Sequence, residues 1–126
     1  IVRVAGRARA CGCPSRGGSA HMARMALTLR QLTGDLGCCM NIRYSEPILD
    51  ACRKLGLSAA KVERELEPEG EKTMSWAIKN ALGRLPRPPD LVYDLGSVGK
   101  EPMIRILGST PAEVAGKAAR IAGALR

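Results

Sequence analysis

Residues 15–26, SRGGSAHMARMA, hold the only histidine of the chain, His21, just after a Gly/Ser turn and just inside an amphipathic helix. A helix N-terminus carries free backbone N–H groups and a partial positive charge, so it binds phosphate readily. Gly17 and Gly18 let the backbone approach a ligand closely. Ser19 can cap the helix or donate to an oxygen, and Arg16 and Arg24 add charge. The dipole disfavours imidazolium in that first turn. An arriving diphosphate reverses the bias and turns the ring into a donor. The same spacing also suits a solvated helix start with an incidental histidine.

A second candidate is GSVGKEP, residues 96–102, between two apolar runs. Its two glycines and Lys100 could cradle a phosphate, though the Walker spacing is absent. The alternative is a surface loop with a solvated Lys–Glu pair. Asp90 and Asp94 flank LVY and could hold Mg²⁺, which needs only one or two protein carboxylates plus substrate phosphates. Turn-capping explains Asp90 better, and leaves Asp94 open. In NIRYSE, residues 41–46, Asn41, Arg43 and Ser45 form a polar set where a strand runs into a helix. Ligands of α/β proteins gather at that kind of strand end. Ser45 also suits simple N-capping, and Tyr44 could face core or ligand. No local nucleophile–base signature is present, and G-x-S-x-G is missing.

Hydrophobic periodicity supplies the elements that must hold these residues. Residues 1–6 and 7–13 alternate like strands, with Gly6 as a hinge or bulge. A helix is expected over 19–32, with Met22, Met25, Ala26 and Leu29 inward and His21, Arg24 and Thr28 on another face. Residues 37–43 read as a short buried strand. A helix over 45–55 has Pro47 in its first turn and Gly56 as its stop. Residues 58–65 are strand-like and 67–72 a polar loop. Thr73 caps a helix to about Leu82. Residues 90–94 and 103–108 are strands. The last helix opens with the capping box Thr110-Pro-Ala-Glu113 and has the stripe Val114, Ala118, Ile121 and Leu125. The order ββαβαβαββα predicts one α/β domain, a mixed sheet with flanking helices.

Composition narrows the function classes. A chain of 126 residues, 45% hydrophobic, forms a single domain with a real core. Lys and Arg number 20 against 12 Asp and Glu, a formal charge of +8, which favours anionic partners. The basic residues are scattered, and Tyr44, Trp76 and Tyr93 are the only aromatics. Small phosphorylated ligands therefore fit better than nucleic acid, which wants stacking platforms. No apolar run has membrane-span length. Five cysteines, with C-x-C and C-C spacings, match neither a secreted disulfide framework nor structural zinc. Small buried hydrophobes in a reducing cytoplasm are the expectation.

NIRYSEPILDACRKLGL, RELEPE, TMSWAI and above all PDLVYDLGSVGKEPMIRILG resemble the ThiN family through nearly the whole chain, and GSAHMAR resembles its G-x-S-x-H-x-A-R turn. The resemblance implies a thiamine-phosphate synthase, often fused behind a hydroxymethylpyrimidine kinase. The start without methionine accords with the C-terminal part of a longer chain whose N-terminal segment is missing here. The implied reaction joins hydroxymethylpyrimidine diphosphate to a thiazole phosphate and releases pyrophosphate, with Mg²⁺ bound beside the diphosphate. The alternative is a thiamine-phosphate-sensing domain of a transcriptional regulator. His21 matches the histidine of catalytic members. Asn41, Ser45, Met74, Asp94, Gly99, Lys100, Glu101 and Met103 match positions expected to line the ligand cavity. Gly18, Ser19 and Arg24 join them from the helix-start argument, and no protein-only metal site is expected. Residue 77 is alanine where the family pattern has glycine, and an arginine of the pattern lies upstream of Ile1. A homodimer in the cytoplasm completes the expectation.

Overall fold

The computed structural model describes residues 2–63 and 73–125, excluding the side chains of Arg3, Thr73, Met74, Ser75 and Ala77. In chain order the elements are β1 (Val2–Val4), β2 (Arg7–Arg9), α1 (Ala20–Thr33), β3 (Cys38–Arg43), α2 (Glu46–Lys54), β4 (Ala59–Lys61), α3 (Thr73–Gly83), β5 (Leu91–Asp94), β6 (Met103–Gly108) and α4 (Pro111–Ala124). This is the expected order. The strands form a two-stranded β1–β2 hairpin and a four-stranded sheet ordered β3-β6-β5-β4. β6 runs antiparallel to both neighbours, and β4 is parallel to β5, so the sheet is mixed.

Strand alternation sends side chains to two opposite layers. Val92 and Leu107 pack with Met25 and Leu29 of α1 and Ile78 and Ala81 of α3. Leu91, Ile104 and Ile106 pack on the other side with Leu49 and Cys52 of α2 and Val114 and Ile121 of α4. Full burial of each Val, Leu, Ile or Met among them is worth roughly 1.5–3 kcal/mol. Gly108 lets α4 close on β6: a Cβ there would stand 2.8 Å from a Val114 methyl carbon.

Several local expectations are corrected. Gly6 is neither hinge nor bulge. It follows Ala5 in a two-residue hairpin turn with φ of 76° and 49°, the two positive values that match strand twist. Thr28 is buried rather than sharing an outer face with His21 and Arg24. Met22 and Ala26 are half-buried, because they overhang the open edge of the sheet. β3 is half-buried for the same reason: it is an edge strand. Of the 58–65 run only Ala59–Lys61 is strand, and residues 64–72, with RELEPE and the polar loop, lie outside the described residues. Leu125 is exposed beyond the end of α4. Cys11 and Cys13 are exposed, Cys38 and Cys39 half-buried, and only Cys52 is buried. In the α4 start, Thr110 Oγ1 accepts from Glu113 N as expected, but Glu113 reaches back one residue further, to Ser109 N.

At the α4 side, Lys117 Nζ meets Asp90 Oδ1 at 2.9 Å and Glu113 Oε1 at 2.8 Å, and donates to the Leu107 carbonyl. Asp90 also accepts from Ser58 N and Oγ, which makes it a structural residue. Burial raises the Asp90 carboxyl pKa, but Lys117 and Ser58 outweigh it and leave it lowered. Lys117 and the Ser109 amide lower that of Glu113. Burial works against the Lys117 ammonium, yet its two carboxylates raise it overall. Lowered carboxyls stabilise above their ordinary range and lose that contribution on acidification. A raised amine keeps its contribution until alkaline pH. Lys117→Met should therefore cost on the order of 1–2 kcal/mol at neutral pH and flatten the stability curve below about pH 4.5, where Glu113 begins to protonate in the unfolded chain. Urea melts at pH 3 and 7 check this; parallel curves for both proteins would refute it.

Candidate functional site

The helix-mouth residues sit where the sequence puts them. Ser19, extended at φ −147°, caps α1 by accepting from Met22 N. Its oxygen is thereby committed to the helix. His21 and Arg24 are exposed in the first turns. Gly17 is left-handed at φ 72°, a conformation that favours glycine. A Cβ at Gly18 would meet Ser15 Oγ at 3.4 Å. Ser45 likewise caps α2, accepting from Ile48 N at 3.4 Å. Tyr44 stacks on Tyr93 with centroids 6.0 Å apart, and its hydroxyl donates to Glu46 Oε1. That bond, with burial second, pushes the phenol up to about 12.

Sheet register brings the remaining set to one end. Arg43 and Asp94 both pair with Met103, so the end of β3, the end of β5 and the start of β6 are level. Residues 95–102 bridge β5 to β6 at this edge, with Gly99, Lys100 and Glu101 exposed. Ser97 and Lys100 exchange backbone hydrogen bonds of 3.0 and 2.8 Å. Asn41 pairs with Arg105, and Arg105 with Val92, which puts Asn41 and Arg105 on the face covered by α1 and α3. The α1 mouth meets that face lower down. Met22 O accepts from Cys39 Sγ at 3.8 Å, and Cys39 is level with Leu107. Asn41 lies two residues, about 7 Å, further along β3, and Arg43 about 13 Å. Burial, with Cys38 adding and Arg105 opposing, pushes the Cys39 thiol up to about 11, so it is no ready nucleophile.

Asp94 differs from the rest of the set: its side chain is 1% exposed and pairs with Arg105, itself 4% exposed. Its other oxygen accepts from Gly96 N at 2.9 Å.

The family described as "Thiamine-phosphate synthase ThiN" matches residues 1–120. The chain belongs to the ThiN family. It is 35% identical over 126 residues to "Thiamine-phosphate synthase ThiN" of Methanothermobacter thermautotrophicus, covering 96% of this chain and 66% of that protein. It is also 35% identical over 101 residues to "Bifunctional thiamine biosynthesis protein ThiDN" of Methanocaldococcus jannaschii, covering 80% of this chain and 24% of that one. Among solved structures, a C-terminal domain of phosphomethylpyrimidine kinase superposes with a TM-score of 0.82 at 33% identity, over 95% of this chain and 70% of that one. The chain thus spans just under two thirds of the first relative's length and about a quarter of the second's.

Within this ThiN domain, Met74 lies on α3, and its side chain is outside the described residues. Sequence reasoning missed Arg105. Its one available signal was a charge inside MIRILG, a strand otherwise apolar on both faces, since such a strand holds a charge only with a partner. The loop itself is tightly closed. Gly96 has φ 78°, and a Cβ there would stand 2.5 Å from Lys100 O and 2.9 Å from Pro102 N. Gly96→Ala should cost about 2 kcal/mol or more and lower the melting temperature by roughly 5–10 °C. Calorimetry checks it; a melt unchanged within 1 °C, on the order of the measurement error, would contradict this closure.

Proposed function

We propose that this domain carries out thiamine-phosphate synthesis, condensing hydroxymethylpyrimidine diphosphate with a thiazole phosphate. The thiazole nitrogen attacks the pyrimidine methylene, the C–O bond to the diphosphate breaks, and pyrophosphate leaves. Negative charge gathers on the leaving group, so the site needs preorganised donors there, and it must hold two phosphorylated molecules in line. The observation that carries this reading is the exposed His21 in the first turn of a capped α1, in a chain of the ThiN family. The α1 mouth and the loop of Lys100 meet the sheet at different levels. That separation suits two anionic groups better than one phosphate shared by both. In this reading His21 and the α1 mouth, with Arg24, receive the departing diphosphate. Lys100, with Asn41 and Met103 near the loop exit, holds the second substrate.

Among the described residues no group of three His, Cys, Asp or Glu could hold a metal ion, and the Asp94 carboxylate is engaged by Arg105. A Mg²⁺ ion carried in by the diphosphate needs few protein ligands, and Glu101, exposed beside Lys100, stays with the loop that receives the second substrate. When bound, such an ion would neutralise charge on the leaving group. A cytoplasmic homodimer is the setting we favour. No described helix is long and apolar enough to cross a membrane, and Leu27 and Leu32 of α1 are exposed apolar side chains available to a second copy.

The test is an assay of the full chain with both phosphorylated substrates and Mg²⁺, reading thiamine phosphate. His21→Ala should lower kcat by about 10²-fold or more with an unchanged circular dichroism spectrum. Undiminished turnover would remove His21 from the mechanism, and an inactive full-length parent would remove the synthase reading.

A further inference from the structure

We propose that Arg105 is a positioning residue, which sets the shape of the 95–102 loop through the carboxylate of Asp94. Arg105 is buried in the middle of β6, between Ile104 and Ile106. Its Nη1 pairs with Asp94 Oδ2, and Asp94 Oδ1 accepts from the Gly96 amide. The chain of contacts thus runs from the centre of the sheet to the first turn of the loop. Gly96 is also where the loop is tightest, pressed against the Lys100 carbonyl and Pro102 nitrogen. The Ser97–Lys100 pairing follows directly. Whatever holds the Asp94 carboxylate in place therefore also orients the exposed run of Gly99, Lys100 and Glu101.

Stability alone is a weak reason for this pair. Two charges taken out of water recover their desolvation only with good geometry, and well-packed apolar residues often serve the fold equally well. Here the geometry is incomplete. Among the described residues, Arg105 Nε is a buried side-chain nitrogen that lacks a hydrogen-bond partner, which adds to the cost of burial. A pair that is expensive to bury, and tied to an exposed functional loop, acts on conformation. The carboxylate cannot itself touch a ligand while it is enclosed, so its effect on ligands passes through the loop.

The inference rests on the synthase reading only for its kinetic arm; hydrogen exchange reads the loop directly. The test uses the full chain with Arg105→Lys, and separately with Asp94→Asn combined with Arg105→Met, which removes both charges together. Exchange at the Gly96, Ser97 and Lys100 amides should rise about tenfold or more in the double variant, and less in Arg105→Lys. The β3–β6 ladder should keep its protection. KM for one phosphorylated substrate should rise about tenfold, with kcat changing less. A merely structural pair would give loop and ladder loosening together, or a lower kcat at constant KM from a smaller folded fraction. Either result, or a loop as protected as in the parent, overturns the proposal. An inactive parent would sink the synthase reading and leave the exchange result standing.

Discussion

The contact between Arg105 and Asp94 links the interior of the sheet to the exposed loop of residues 95–102. It is possible only because β6 lies between β3 and β5, antiparallel to each. A central strand is covered on both faces, so Arg105, opposite Val92, lies on the face that carries α1 and α3, while Ile104 and Ile106 meet α2 and α4 on the other. A charge in such a place needs an opposite charge within reach. The end of β5 supplies it: Asp94 stands two residues along from Val92, the register partner of Arg105.

The two parts of the candidate site are held by different physics. The α1 mouth depends on local chemistry: a left-handed Gly17, a Ser19 cap and an exposed first turn carrying His21. The loop at the opposite level depends on long-range pairing, because β5 and β6 must meet before residues 95–102 can close. The synthesis proposed above, from two phosphorylated substrates, asks for such a division. One anchor must release its anion as pyrophosphate, and the other must retain its phosphate through the reaction.

Much of the fold was legible from residue types. The order of ten elements followed from periodicity, and the α1, α2 and α4 starts followed from Ser19, Ser45 and Thr110, because capping is decided within four residues. Burial was less legible. Helical spacing puts Thr28 on the face of His21 and Arg24, yet it is buried while they are exposed. The strand at 37–43 was expected to be buried and is an edge. The thiols were expected inside, and two of the five are exposed. Each of these depends on which element comes to lie alongside, and no local pattern encodes that.

The sequence alone determined the element order, the helix caps at Ser19, Ser45 and Thr110, and the basic balance. All of these rest on interactions between near neighbours in the chain. Only the tertiary structure decided that β6 inserts between β3 and β5, that Arg43, Met103 and the Lys100 loop share one end of the sheet with Asn41 two residues in from it, and that Asp94 turns inward to Arg105 instead of outward to a ligand. Those outcomes depend on strand pairing between distant segments, and a paired carboxylate looks the same as a free one when only the chain is read.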